Sequence, residues 1–190
     1  EVWTYDEPRL YTVQEKQLEN DKKKSYTAVI HINNNNRLVQ LANDAYPNVE
    51  TGDEGNAAYA LANTPLPYQL EQQWEGRTSR DYAVVNTATG ATLKVLTKLS
   101  GQVKLSPSGR YVYGYSIADS TWFTYAIATA KYTTLTKGKV FYDETNDIPE
   151  PPDSYGTAGW TTGDAALLLY DRYDIWKFDP DTGTGNRMTK

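Results

Sequence analysis

The chain has no cysteine, which excludes structural disulfides and thiolate-held metals. Its single histidine, His31, cannot supply the paired imidazoles of a zinc site. Because Ile30 and Ile32 flank it, the alternation of a strand puts it on the opposite face, as a structural residue. No apolar run approaches the roughly 18 residues needed to cross a bilayer as a helix, and no signal peptide is visible. A basic stripe is also missing. The formal net charge is -5, and the one basic run, Lys22-Lys23-Lys24, follows Glu19 and Asp21 and reads as a solvated turn. Nucleic acid is therefore not an expected partner. The chain opens at Glu1, directly on the strand-like Val2-Trp3-Thr4-Tyr5, so it reads as a processed or deliberately cut piece, which leaves room for a targeting signal outside it. The lack of cysteine suits cytoplasm and periplasm equally.

What is abundant is aromatic and β-branched. Of 190 residues, 16 are Tyr and 5 are Trp, and 39% are hydrophobic. That is enough for a core and favours strands. The strands come in a repeat. Asp81-Tyr82-Ala83-Val84-Val85-Asn86-Thr87-Ala88-Thr89-Gly90 runs on to Leu96-Thr97. Trp122-Phe123-Thr124-Tyr125-Ala126-Ile127 runs through Ala128-Thr129-Ala130-Lys131 to Leu135-Thr136. Asp174-Ile175-Trp176-Lys177-Phe178 runs through Asp179-Pro180-Asp181-Thr182-Gly183 to Met188-Thr189. Each is a hairpin signal, an apolar strand closed by Asn, Asp, Thr or Gly, and recurrence of the unit marks stacked supersecondary repeats.

The closing residues Leu41, Leu96, Leu135 and Met188 set the register. The spacing from Leu96 to Leu135 suits a four-stranded propeller blade of about 40 to 45 residues. The two longer spacings need insertions, supplied by the irregular stretch from Thr64 to Arg80 and by the acidic, proline-rich stretch from Asp143 to Ser154. A turn glycine precedes a short strand at Gly55, Gly109 and Gly163. The third unit reads in full as Val103 to Ser106, Tyr111 to Ile117, Trp122 to Ile127 and Tyr132 to Thr136. The polar stretch from Tyr11 to Lys24 reads as a short helix or a long loop. The expected fold class is all-β: about four four-stranded antiparallel blades of a β-propeller, over residues 1–42, 43–98, 99–137 and 138–190, as part of a ring of seven or eight blades. Such an arc leaves an apolar face uncovered at each end. The expectation is either a homodimer that completes a ring from two halves or closure as a small four-bladed propeller.

Two segments, Leu105-Ser106-Pro107-Ser108-Gly109-Arg110-Tyr111 and Leu169-Tyr170-Asp171-Arg172-Tyr173-Asp174-Ile175-Trp176, resemble the propeller of the prolyl oligopeptidase family of serine peptidases, in its dipeptidyl peptidase IV branch. The opening Glu1-Val2-Trp3-Thr4-Tyr5-Asp6-Glu7-Pro8-Arg9-Leu10 is similar to a segment of bacterial members. In that family a seven- or eight-bladed propeller covers an α/β-hydrolase domain and filters its peptide substrates. The resemblance implies a non-catalytic, substrate-gating piece of an exported or periplasmic peptidase. Its partners would be the peptide substrate, the missing blades and the hydrolase domain, for which the sequence has no room. The alternative is a stand-alone propeller that scaffolds proteins or binds a periplasmic ligand.

Each chemical motif has a competing reading. Gly114-Tyr115-Ser116-Ile117-Ala118 approximates a nucleophile elbow, but a strand rather than a helix follows Ser116, and the only histidine lies upstream of it, so no serine triad assembles. No catalytic residue is expected. Asp6 and Glu7 resemble the acidic pair that holds a substrate amine in dipeptidyl peptidases; paired carboxylates in a partly buried mouth would bind an ammonium by charge-assisted hydrogen bonds. Acids beside a proline are also ordinary turn residues. The five acids between Asp143 and Asp153 suit a solvated loop stiffened by prolines, or a propeller mouth that attracts cationic peptide ends. Asp179-Pro180-Asp181-Thr182-Gly183 has calcium-loop residue types without the EF-hand spacing, so no metal and no cofactor are expected.

Overall fold

Successive side chains of a strand point to opposite faces, and that alternation is what lets this chain's sheets stack. The computed structural model describes residues 7–189. A helix, α1 (Tyr11–Lys22), comes first and buries no residue; its sequence has no apolar stripe to dock. The first sheet pairs β1 (Ala28–His31) with β2 (Arg37–Gln40). The second is β3 (Asn48–Thr51), β4 (Tyr59–Thr64), β5 (Arg80–Asn86) and β6 (Thr92–Leu99), with the short helix α2 (Gln69–Gln72) in the β4–β5 connection. The third is β7 (Val103–Leu105), β8 (Tyr111–Ser116), β9 (Thr121–Ala126) and β10 (Lys131–Thr134), and the fourth is β11 (Thr157–Trp160), β12 (Leu167–Tyr170), β13 (Ile175–Phe178) and β14 (Gly185–Arg187).

The second, third and fourth sheets are four-stranded antiparallel meanders in chain order, and the first holds two strands among the described residues. These are blades of a β-propeller. The fold class read from the repeat is the one that forms.

Opposite faces of each blade serve opposite neighbours. In the second blade, Ala60, Ala62, Ala83 and Val85 meet Val39 and Leu41 of the first sheet. Their sequence neighbours Leu61, Tyr82 and Val84 point the other way, onto Val112, Phe123 and Tyr125 of the third blade. That blade then turns Tyr113, Tyr115 and Trp122 toward Leu167, Leu169 and Phe178 of the fourth. A strand buried on both faces needs no polar alternation, which is why β8 is buried at every position.

A recurring turn follows the third strand of the second and fourth blades. Asn86 Oδ1 accepts from the amides of Ala88 and Thr89 at 3.0 Å each, and Asp179 Oδ1 accepts from Asp181 and Thr182 at 2.9 and 2.8 Å. Gly183 closes the latter at φ +74°, so near the preceding blade that an added Cβ would lie 2.9 Å from the Thr134 carbonyl oxygen. The calcium-like Asp-Pro-Asp-Thr-Gly segment is thus used as a turn.

Polar contacts lock the third and fourth blades together. Asp164, 1% exposed, accepts from Ser106 Oγ at 2.6 Å and from the Ser108 amide at 3.0 Å. Thr124 Oγ1 donates to the Pro180 carbonyl at 2.6 Å, and Tyr111 Oη bonds Asp181 at 3.0 Å.

The ends of the stack are open. On the first sheet the paired Ile30 and Leu38 are 57% and 63% exposed. On the last, Tyr170, paired with Ile175, is exposed. Among the described residues no hydrogen bond, ion pair or core cluster joins the first sheet to the last. Among the described residues the first sheet therefore does not seal against the last, against the expectation of closure as a four-bladed propeller. A closed ring of four would have to bury Ile30 and Leu38 against the β11–β14 sheet, and it does not.

Candidate functional site

In each four-stranded blade the second hairpin and the link to the next blade emerge at the same end of the strands. Both insertions read from the sequence therefore share one rim. The first leaves β4 at Thr64, makes α2, and returns at Arg80; the second runs between β10 and β11.

Asp81 anchors the root of the first insertion. Its carboxylate accepts from Tyr68 Oη at 2.6 Å, Lys94 Nζ at 2.6 Å and the Lys98 amide at 3.0 Å. Burial pushes this carboxyl upward, but the hydrogen bonds from Lys94, Tyr68 and Lys98 outweigh it and leave it below its ordinary value. Burial, reinforced by the bond to Asp81, pushes the Tyr68 phenol up to about 12. Further along, Lys98 ties down Glu71 at 2.9 Å.

Arg77 joins the two insertions. It donates to Asp153 at 3.0 Å and to Glu150 and the Pro151 carbonyl at 3.3 Å each. Tyr115 Oη holds the same segment by donating to the Pro152 carbonyl at 3.0 Å. Burial, the largest influence on the Tyr115 phenol, pushes it up, so it stays a neutral donor. The acidic stretch is therefore fixed at its C-terminal half, while Glu144 and Asp147 remain exposed.

Below this junction lies a cavity of about 590 Å³, lined by Arg77, Arg80, Ser100, Gln102, Tyr115 and Asp153 among others. A second hollow of about 480 Å³ shares Arg77, Ser100 and Ile117 with it. The floor depends on Gly101, at φ +136°, where a Cβ would sit 2.1 Å from the Tyr115 carbonyl oxygen. Only glycine tolerates that conformation and approach. Trp74, on the insertion above, is 87% exposed.

The expected site residues sit elsewhere or stand in structural roles. Asp6 lies outside the described residues. Glu7 is exposed; its carboxylate accepts from Gln14 at 3.3 Å and its carbonyl from Gln73 at 3.3 Å, so it borders the insertion by way of α2's C-terminal end. His31 is held by Nε2 at 2.9 Å from the Thr87 carbonyl oxygen, between the first two blades. Ser116 donates to Asp119 at 2.8 Å. The serine and the histidine thus belong to different blades and engage different partners. Arg77 and Arg80 were not singled out by motif reading. The available signal was the pair of cations in Arg77-Thr78-Ser79-Arg80, at the exit of an insertion otherwise rich in Gln and Glu.

No family model matches the sequence, and no curated protein matches it. Among solved structures, the chain is similar to that of "putative TolB from Agrobacterium tumefaciens", at 12% identity and a TM-score of 0.46. The match covers 88% of this chain and 56% of that one, so the chain spans little more than half of that protein's length. Among the described residues no helix is long and apolar enough to cross a membrane.

Proposed function

We propose that this chain is a non-catalytic, peptide-selecting part of a β-propeller that serves a serine exopeptidase of the dipeptidyl peptidase IV-like kind. The observation that carries the reading is the rim cleft, where two blade insertions meet through Arg77 over a cavity of about 590 Å³. That volume falls within the 300–1,000 Å³ usual for small-ligand sites. Asp153 lines the cavity and Glu150 lines the adjoining hollow; these carboxylates, 75% and 51% exposed at the side chain, would attract the ammonium of a peptide. Asp6 and Glu7 are proposed as a further acidic pair for the substrate amine. Trp74 offers an apolar contact of the type that anchors ligands and partners. In this reading the open faces of the first and last sheets are covered by further blades, a hydrolase domain supplies the triad, and the protein works in an exported compartment.

The exposed end sheets support a second reading, a stand-alone propeller that scaffolds other proteins. Titration of the ¹⁵N-labelled chain with alanyl-alanine amide tests the first reading. Shifts confined to amides around Ser100, Gln102 and Ser154 are expected, and they should vanish when the peptide amine is acetylated. Absence of such shifts at millimolar peptide leaves the scaffold reading.

A further inference from the structure

We infer that the rim cleft holds a carboxylate monoanion on Arg80, so that its ligands are short peptides or acylated amino acids with a free C-terminal carboxyl. The inference deepens the reading of that cleft as a peptide site and rests on it. Arg80 opens β5 and lines the cavity. Its Nη1 donates to Asn63 Oδ1 at 2.9 Å, and Asn63 Oδ1 also accepts from Asn48 Nδ2 at 3.2 Å. This neutral chain orients the guanidinium and leaves its charge uncompensated: among the described residues no carboxylate lies within ion-pair distance of Arg80.

Arg77, the other cation of the cavity, is neutralised by Glu150 and Asp153. The two arginines are therefore not equivalent. One builds the wall, and the other is a half-buried cation with most of its five donors unengaged. An oriented guanidinium matches the two oxygens of a carboxylate in a bidentate pair, and Ser100, Gln102 and Ser154 line the same space with neutral donors. One free cation beside two carboxylates suits a monoanion. A phosphate dianion would bring a second negative charge that the single free guanidinium does not balance, beside carboxylates already paired with Arg77.

The test uses N-acetyl-alanyl-alanine, which has a carboxylate and no amine, against its C-terminal amide, by calorimetry or NMR titration on the whole chain. The acid is expected to bind at least tenfold more tightly than the amide. Arg80→Gln should remove that difference, and 0.5 M salt should weaken it. Equal binding of acid and amide, or no binding of the acid, overturns the inference, and because this comparison is made on the unaltered chain it does not depend on the variant's folding. Preferential binding of inorganic phosphate overturns it as well. If alanyl-alanine amide binds while the N-acetyl acid does not, the peptide-site reading survives and the Arg80 assignment fails. If the N-acetyl acid binds and free-amine peptides do not, Arg80 is a carboxylate site and the amine-selecting reading fails.

Discussion

Replacing Asp164 by alanine should loosen the joint between the third and fourth blades more than any other polar substitution in that interface. The carboxylate is 1% exposed and accepts from Ser106 Oγ at 2.6 Å and the Ser108 amide at 3.0 Å. Hydrogen bonds to a charged group are worth about 1.5–3 kcal/mol each, and a buried donor left without a partner costs about 1–3 kcal/mol. Ser106 is fully buried, so its hydroxyl bears that penalty, whereas Ser108 is exposed and its amide turns to water. Counting the first bond in full and discounting the second gives a loss of about 3 kcal/mol. For a chain of this length that lowers the melting temperature by about 6–12 °C. Differential scanning calorimetry measures the shift, and a cycle with Ser106→Ala should show a coupling of about 1–2 kcal/mol. A shift under about 2 °C, or additive single effects, would refute the reasoning: the blades would then be held by Tyr113, Trp122, Leu167 and Phe178 alone.

Other perturbations probe other levels of the structure. Tyr68 ionises at about 12 in the fold against an ordinary 10.0, so the stability it contributes is whole below pH 10 and is lost as pH rises toward 12. Urea midpoints at pH 8 and pH 11 should fall further apart in the unaltered chain than in Tyr68→Phe, and equal spacing counts against the burial argument. Asp81, held low, contributes stability above the ordinary carboxylate range that disappears as pH falls through its folded value. Acid titration of Asp81→Asn should therefore show a shallower loss below pH 4. Phe123→Ala empties a site with no exposure between the second and third blades and should cost about 3–5 kcal/mol in denaturant unfolding. Ala130→Gly should be stabilising, because Ala130 holds φ 52°. Relief of about 1–2 kcal/mol of left-handed strain exceeds the roughly 0.4–1 kcal/mol of added chain entropy, and a lower melting temperature would contradict this.

The sequence by itself determined the blade. Hairpins such as Val84 to Leu96 and Ile175 to Met188 are local, and their turns are set by residues at fixed offsets: Asn86 and Asp179 cap amides two and three positions on. Double-faced burial was equally visible, since apolar runs without alternation have nowhere else to go. Tertiary structure decided what is non-local. Asp164 follows a turn glycine in the sequence, and only the neighbouring blade places Ser106 against it, 58 residues away. Arg77 and Arg80 looked alike in the string, and only the fold brought Glu150 and Asp153 to the one and Asn63 to the other. Whether the arc closes was also undecided by the repeat. Closure depends on the angle between successive sheets, which is set by side-chain volumes across each interface, from the alanines of β4 to the tryptophan of β9, and no single segment of the chain encodes it.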